Sequence, residues 1–276
     1  MAAAAQRLSV IVRTYNNPAA LALVFAGLAR QTMRDCEVLM ADDGSGPETR
    51  TLIETAVTRL PFDLRHVWHP DQGFRKCHIL NAAIRAARGD YLVFFDGDCV
   101  PERDNLAAHL RAARPQRYLA GGAVMLSTRA SARFSVESVA RGDLERFGLW
   151  WWETDRPRRL IMHRMPGIRT LLDRNVRRPP GWRGGNSSTY AASVQRVNGF
   201  DERFGYGFED ADFGHRLEAA GVIGYSLRYS APVYHFAHGR PYASPDEVAR
   251  NRALYEANRA ARLTATPYGL RHLVET

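Results

Sequence analysis

Between Leu8 and Phe95, short apolar segments alternate with segments of helical periodicity, and this alternation restricts the fold more than any other feature of the sequence. It predicts strands at 8–13, 36–41, 64–68 and 91–95, and helices at 18–31, 47–59 and 75–87. Alternating strands and helices are typical of a mainly parallel sheet with helices on both faces. The sequence therefore predicts an α/β fold in which a ligand binds beyond the carboxyl ends of the strands.

Three of these strands are followed by polar clusters. They are Thr14-Tyr15-Asn16, Asp42-Asp43 and Asp96-Gly97-Asp98. Because carboxyl ends of parallel strands meet at one edge of the sheet, we expect the clusters to converge on one crevice. Crowded carboxylates need a cation or hydrogen-bond donors, so the acids predict a metal-diphosphate site. The alternative for the D-x-D sequence is a turn that simply ends the strand.

Two cations, Arg75 and Lys76, stand at the start of the third predicted helix. Together with the helix N-terminus they favour phosphate binding, and a solvated helix start is the alternative. The chain contains neither a G-x-G-x-x-G after its first strand nor a G-x-x-x-x-G-K-[ST] sequence. Phosphates must therefore be held in another way, which again favours a metal.

A second acidic cluster, Glu209-Asp210-Ala211-Asp212, lies between a glycine-rich turn and a helical segment predicted at 213–220. Acids at a helix start stabilise the helix dipole, so capping alone would account for them. A carboxylate in a dry site beside other carboxylates also suits a general base. His235 and His238 follow a strand-like segment at 230–234, and their spacing makes one of them a candidate metal ligand.

After about residue 125 the alternation ends, and residues 129–183 contain 13 Arg against 6 acidic residues. This segment accounts for most of the formal net charge of +9 and includes Trp150-Trp151-Trp152. Aromatic residues among cations favour a membrane headgroup interface or a glycan groove. The alternative is a buried aromatic plug over the sheet.

The three cysteines, Cys36, Cys77 and Cys99, show no C-x-x-C spacing, so we expect neither a disulfide framework nor a thiolate zinc site. The alanine-rich segment 1–7 is too short for a signal peptide, and no apolar run approaches the roughly 20 residues of a membrane span. We therefore expect a cytoplasmic protein that does not cross the membrane.

Taken together, the motifs resemble the inverting glycosyltransferases of family 2 with the GT-A fold. The resemblance covers about 8–125 and 181–240, and the second half looks like the galactosyltransferase-type segment of chondroitin-polymerase-like enzymes. It implies a single GT-A domain over 1–276. Its parts would be a nucleotide-sugar half at 8–125, a basic aromatic insertion at 126–180, an acceptor half at 181–240 and a helical tail at 241–276.

The resemblance also implies roles for residues that bind the donor. Thr14 and Tyr15 would border the uracil, and Asp43 would accept the hydrogen on its N3. Asp96 would contact the donor ribose or sugar, and Asp98 would be a metal ligand. These roles require a UDP-sugar and a divalent cation, Mn²⁺ or Mg²⁺.

On the acceptor side, Asp210 falls where the family has its catalytic base, with Glu209 and Asn186 positioning the acceptor. Arg75 matches a basic residue near the diphosphate, with Lys76 beside it, and His235 matches a further metal ligand.

The family pattern matches Gly184-Gly185-Asn186 and Gly199–Glu202, but two positions depart from it. Arg13 stands where proline is usual, and Gly205–Phe208 replaces a commoner Trp-Gly-rich run. The second departure bears on which acceptor is used.

The implied function is metal-dependent, inverting sugar transfer to a glycan or lipid-linked glycan of the bacterial surface. The enzyme would act as a peripheral protein on an anionic membrane, at the inner face of the cytoplasmic membrane, without nucleic acid as a partner. A sugar-nucleotide nucleotidyltransferase is one alternative, although it should carry a glycine-rich loop where 14–20 has no glycine. A non-catalytic glycan-binding protein on the same fold is the other.

Overall fold

The computed structural model describes residues 7–146, 165–176, 180–238 and 244–271. Its strands are β1 (Leu8–Thr14), β2 (Cys36–Asp42), β3 (Asp63–Trp68), β4 (Tyr91–Asp96), β5 (Cys99–Pro101), β6 (Arg117–Met125), β7 (Asn186–Tyr190) and β8 (Ile223–His235). Its helices are α1 (Pro18–Ala29), α2 (Pro47–Arg59), α3 (Lys76–Ala86), α4 (Asn105–Ala112), α5 (Thr128–Ser131), α6 (Val136–Arg141), α7 (Pro166–Arg174), α8 (Ala191–Arg196), α9 (Glu209–Ala219) and α10 (Pro245–Ala260), with a 3₁₀ turn at Asp143–Glu145.

The strands form one sheet in the order β3-β2-β1-β4-β7-β6-β8-β5. The first four strands are parallel, as predicted, and β6 and β8 form a further parallel pair. Strand β7 runs antiparallel to both β4 and β6, and β5 runs antiparallel to β8. The predicted α/β class with a mainly parallel, mixed sheet is confirmed.

Hydrophobic cores cover both faces of the sheet. Along β1, Leu8, Val10 and Val12 belong to one core, whereas Ile11 belongs to the other. Successive strand residues point to opposite faces, so a strand buried on both sides must be apolar throughout. This requirement explains why β1, β2 and β4 are mostly apolar and why most of their polar residues cluster at the carboxyl ends.

Several elements differ from the sequence predictions. Strand β8 is much longer than the predicted 230–234, and β5, β6 and β7 were not predicted. Helix α9 begins at Glu209 rather than Phe213, so the acidic cluster lies inside its first turn. The preceding Phe208 has φ = 69°, a left-handed conformation that ends the loop and starts the helix.

Part of the predicted basic aromatic insertion, including Trp150–Trp152, lies outside the described residues. The described residues of this segment are helical, and an ion pair connects them to the residue that follows α1. The guanidinium of Arg30, which follows α1, donates two hydrogen bonds to Glu145 at 2.8 and 2.7 Å. Within the described ranges, no helix combines the length and apolar character needed to cross a bilayer.

Candidate functional site

The carboxyl ends of β1, β2 and β4 lie side by side, because these strands are adjacent and parallel. The N–H of Gly97 donates to the carbonyl of Arg13 at 2.6 Å, and the N–H of Asp43 donates to the carbonyl of Thr14 at 3.0 Å. The three predicted polar clusters therefore border one crevice. The buried hydroxyl of Thr14, at this edge of the sheet, has no hydrogen-bond partner within the described ranges.

The two adjacent acids at the end of β2, Asp42 and Asp43, make different contacts. Asp42 accepts a hydrogen bond from the N–H of Ser45 at 2.9 Å and lies 3.0 Å from Nε2 of His66. Both contacts hold the turn in place. Its neighbour Asp43 turns toward the crevice, so the fold leaves the second acid as the one that can contact a ligand.

A cavity of about 140 Å³ lies beside Asp43 and is lined by Tyr15, Asp43, Gly73 and Phe74. The carboxylate of Asp43 accepts a hydrogen bond from the N–H of Arg75 at 3.0 Å. Burial raises the pKa of this carboxyl above its usual value. Aromatic rings beside a hydrogen-bond acceptor suit a planar heterocycle that carries an N–H group.

A carboxylate and two imidazoles meet beyond β4. Nε2 of His238 lies 2.8 Å from Oδ2 of Asp98, and Nε2 of His235 lies 3.7 Å from Oδ1. The register of β5 against β8 pairs Cys99 with His235 and so brings the histidine to the acid. Ligand atoms of the three residues all lie within 4.8 Å of one another, which fits one divalent cation.

The electrostatics of this cluster favour an ionised carboxylate. Burial alone would raise the pKa of Asp98, but the hydrogen bond from His238 and the nearby His235 bring it below its usual value. Asp96, Asp98 and Cys99 form a second, overlapping group of potential ligands. The structure therefore brings both histidines, not one, to the predicted metal ligand.

The acidic start of α9 faces the same crevice. Glu209 is buried, and the side chain of Asp210 is 28% exposed. The N–H of Gly184 donates to Oδ2 of Asp210 at 2.9 Å. Loss of hydration and the nearby charges of Glu209 and Asp96 raise the pKa of Asp210 to about 6, against the opposing effect of Lys76. A carboxylate with this proton affinity is suited to accept a proton near neutral pH.

The two cations predicted side by side have different surroundings. The guanidinium of Arg75 donates to the amide oxygen of Gln72 and pairs with no carboxylate in the described part of the chain. The ammonium of Lys76 is buried and donates to Glu209 at 2.9 Å and to both oxygens of Asp210 at 3.3 Å. Of these two cations, Arg75 is therefore the one without a carboxylate partner among the described residues.

Asn186, predicted to position the acceptor, is buried at the start of β7. Its amide nitrogen donates to the carbonyls of Gly122 and Ala231, at 2.9 and 2.7 Å, and its oxygen lies 3.0 Å from Nε2 of His109. Burial lowers the pKa of His109 to about 4. Both amide hydrogens of Asn186 are therefore used inside the sheet, where they fix the end of the Gly184–Gly185 turn.

Gly184 and Gly185 lie between the two acidic groups. A methyl group on Gly184 would lie 2.9 Å from both carboxylate oxygens of Asp210 and from Nζ of Lys76. A methyl group on Gly185 would lie 3.1 Å from Oδ2 of Asp96 and from Sγ of Cys99. This turn joins the strand-end acids to the α9 acids. Sequence reasoning found the two glycines but not the contacts that require them.

Comparisons with known proteins identify the family of the chain and its fold. The sequence model of glycosyl transferase family 2 matches residues 9–169, and that of the N-terminal domain of galactosyltransferase matches residues 176–239. The chain is 33% identical over 234 residues to a validoxylamine A glucosyltransferase of Streptomyces hygroscopicus subsp. jinggangensis, covering 78% of this chain and 52% of the relative. It is 25% identical over 239 residues to a chondroitin synthase of Pasteurella multocida, covering 78% of this chain and 23% of the relative. The chain thus spans about half, or less, of the length of these relatives.

Solved structures show the same fold. The mannosyltransferase PcManGT from Pyrobaculum calidifontis, in complex with GDP-Man and Mn²⁺, superposes with a TM-score of 0.60 at 19% identity, covering 95% of this chain and 66% of that one. TarS 1-349 of S. aureus, in complex with UDP-GlcNAc, gives 0.58 at 17% identity, covering 91% of this chain and 66% of that one. The predicted GT-A fold is confirmed.

Proposed function

Because the chain belongs to glycosyl transferase family 2, we propose that it transfers a sugar from a UDP-sugar to a hydroxyl of a glycan acceptor, with inversion at the anomeric carbon. One observation carries the proposal: the ends of β1, β2 and β4 face the acidic start of α9 across the Gly184–Gly185 turn. A nucleotide cavity, a cation site and a carboxylate base then border one crevice. The relatives named glucosyltransferase and chondroitin synthase support sugar transfer.

The donor nucleotide would occupy the cavity beside Asp43. The rings of Tyr15 and Phe74 offer apolar surfaces to a base, and the Asp43 carboxylate would accept its N–H hydrogen. The uncompensated guanidinium of Arg75 would meet the diphosphate. The buried hydroxyl of Thr14 lies at the same edge and would contact the base or ribose. TarS was solved with UDP-GlcNAc and PcManGT with GDP-Man, which supports a sugar nucleotide as the donor.

A divalent cation would bind Asp98, His235 and His238, with Asp96 directed to the donor ribose or sugar. Two imidazoles with one carboxylate suit Mn²⁺ better than Mg²⁺, because Mg²⁺ favours oxygen ligands. The neighbour PcManGT was solved with Mn²⁺, which supports this choice. When bound, the ion supplies positive charge to the departing diphosphate. The chain's own part is to hold the three ligand atoms within 4.8 Å of one another.

Asp210 would be the general base. In a single displacement it would take the proton of the acceptor hydroxyl as that oxygen bonds to the anomeric carbon and the bond to the diphosphate breaks. A positioned base contributes on the order of 100 to 10,000-fold. Glu209 would bind the acceptor beside it, whereas Asn186 would act from inside the sheet by fixing the turn.

UDP release with candidate UDP-sugars and glycan acceptors, with and without a chelator, tests the proposal. We expect release to require an acceptor, to stop in EDTA and to return with added Mn²⁺. Pyrophosphate-dependent formation of a nucleoside triphosphate would instead indicate a nucleotidyltransferase. Donor binding without any turnover would indicate a glycan-binding protein.

We further propose that the chain docks on an anionic membrane at the inner face of the cytoplasmic membrane, where lipid-linked glycans would be its acceptors. The arginine-rich residues 129–183 support this docking. A surface cavity of about 540 Å³ adds to them, because it is lined by Arg174 of that segment and by Arg111, Arg114 and Arg117. Asp173 in its lining already accepts hydrogen bonds from two backbone N–H groups. Each cation near anionic lipid contributes about 1 kcal/mol.

Sedimentation with vesicles tests the docking. Binding to phosphatidylserine-containing vesicles should exceed binding to phosphatidylcholine vesicles and should weaken with salt. Arg111→Glu with Arg117→Glu tests the cavity, and Arg158→Glu with Arg159→Glu tests a part of the insertion outside the described residues. UDP affinity should be unchanged in both pairs. No sedimentation with anionic vesicles at low salt would rule docking out.

A further inference from the structure

Lys76 is the only lysine in a chain with 38 basic residues. It is 6% exposed, and its ammonium is surrounded by acids: one oxygen of Glu209 at 2.9 Å and two oxygens of Asp210 at 3.3 Å. Burying a cation is costly unless it is paired and hydrogen-bonded. The position of this single lysine therefore points to a task that arginine does not perform in the same space.

The geometry of the pocket explains the choice of residue. An ammonium is a compact point charge with three donors, whereas a guanidinium is a wide, planar fork. Nζ would lie 2.9 Å from a methyl group on Gly184, the residue whose N–H also binds Asp210. The ammonium is thus enclosed between α9 and the Gly184 turn. Its hydrogen bonds and that of the Gly184 N–H together hold the Asp210 carboxylate in place.

Four charged groups act on this lysine. Glu209, Asp210 and Asp96 stabilise its charge, while Arg13 opposes it. Burial works against the ammonium, but the three carboxylates outweigh it and raise the pKa of Lys76 well above its usual value. Lys76 in turn lowers the pKa of Glu209 and limits the rise in the pKa of Asp210. The lysine therefore remains a cation throughout the range in which Asp210 titrates.

We propose that Lys76 is a positioning residue for the base: its ammonium keeps Asp210 ionised and aimed into the crevice, and it does not bind the donor diphosphate. The inference rests on the proposed function, since it concerns the base of that reaction. It differs from the sequence prediction, which grouped Lys76 with Arg75 as a phosphate ligand.

Charge balance during transfer is consistent with this task. Before the reaction, Lys76, Glu209 and Asp210 together carry one net negative charge. When the acceptor proton passes to Asp210, the oxygen bonds to the anomeric carbon and the electron pair of the broken bond leaves with UDP. The three side chains are then neutral overall, with Lys76 paired to Glu209. Product release and return of the proton to solvent restore the starting state.

Lys76→Met keeps the apolar stem and removes the charge, and its pH profile tests the proposal. Without the ammonium, the two carboxylates bind a proton more tightly, so the acidic limb of kcat should move up by at least about one pH unit. Transfer at a pH near 6 should fall by about fivefold or more and recover as pH rises. UDP affinity and donor KM should stay within about twofold. Lys76→Arg retains the charge, so its acidic limb should lie closer to the wild-type position than that of Lys76→Met, while the wider guanidinium should still lower kcat.

Arg65→Met is the matched control. It removes a cation that lies 3.2 Å from the buried Glu37, at the other end of the sheet. It should lower stability without moving the pH profile. If Lys76→Met does not fold, Lys76→Gln supplies the second neutral variant. An unmoved limb in a folded neutral variant would overturn the proposal, and so would a large loss of UDP affinity, whether or not the limb moves. Absence of wild-type transfer with every donor would instead overturn the proposed function.

Discussion

The donor side and the base side of the crevice are built differently. The donor side consists of residues at or just beyond the carboxyl ends of β1, β2 and β4, including Asp43 and Asp98. The base side consists of Lys76, Gly184, Glu209 and Asp210, and its central contact joins residues 134 positions apart. The donor side follows from local sequence and one topological rule. The base side exists only once distant segments have packed together.

This difference teaches which functional residues can be predicted from one chain. Adjacent parallel strands must bring their carboxyl ends together, so the convergence of Thr14, Asp43 and Asp96 follows from the strand pattern. No comparable rule connects Lys76 with Asp210. Residues next to each other in sequence, such as Arg75 and Lys76, were therefore assigned one role although they belong to opposite sides.

The largest effect is expected from Asp210→Asn, which should change the base side and leave the donor side intact. Asp210→Asn removes the proton acceptor but keeps the shape, so transfer should fall by at least about 100-fold while UDP affinity changes by no more than about threefold. Stopped or continuous assays of UDP release and calorimetric titration with UDP measure the two quantities. Glu209→Gln is the control. An inactive Glu209→Gln beside an active Asp210→Asn would move the base by one residue.

A smaller effect is expected on the donor side from Asp98→Ala. Loss of the carboxylate between His235 and His238 should weaken Mn²⁺-dependent UDP binding by at least about tenfold. Calorimetric titration with UDP, in Mn²⁺ and then in EDTA, measures it. Wild type and variant should bind UDP alike in EDTA. Equal wild-type affinity with and without the metal would remove the cation from the donor side.

Alanine substitutions in the Gly184–Gly185 turn should affect the two sides of the crevice differently. Gly184→Ala presses on Asp210 and Lys76, whose side-chain ends can move without the backbone, so kcat should fall by at least about fivefold with little change in Tm. Gly185→Ala presses instead on Asp96 and Cys99, so donor KM should rise. Steady-state kinetics on both variants measure the split. The same change in both would show that the turn does not separate the two sides.

The smallest effect is expected from Tyr15→Phe. The hydroxyl of Tyr15 donates to Asp71 at 2.9 Å on the exposed side, so its loss should change UDP affinity by about threefold or less. Tyr15→Ala also removes the ring that lines the cavity and should cost more. Calorimetry on both variants decides between ring and hydroxyl. An equal loss in the two would assign the contact to the hydroxyl.

Prediction of the fold from the sequence is limited in the same way as prediction of the site. The first four strands and three helices were predictable because short strand-like segments, three of them mostly apolar, alternate with segments of helical length and composition. Strand β6 was not, because it contains Gly121 and Gly122, which weaken any strand pattern. A methyl group on Gly121 would lie 2.1 Å from the amide nitrogen of Asn186. That glycine is required by a distant side chain, which local sequence does not reveal.

The base side had partial signals in the sequence. The acids at 209, 210 and 212 were recognisable as a cluster, and so were the two histidines. Which acid faces the crevice depends on the start of α9, and that start is set by the left-handed Phe208. His235 reaches Asp98 because β8 pairs with β5, and His238, three residues beyond the end of β8, contacts the same carboxylate. The kinds of side chain at the candidate site could thus be predicted from the sequence, whereas the contacts between them depended on packing.

The anomeric configuration of the first product tests the central claim most directly. A single displacement driven by Asp210 must invert the anomeric carbon, because the acceptor oxygen attacks opposite the departing diphosphate. The donor that supports UDP release is mixed with enzyme and acceptor, and the anomeric proton of the product is followed by NMR from the earliest time points. We expect a linkage inverted relative to the donor. A linkage that retains the donor configuration would contradict Asp210 as the base of a single displacement.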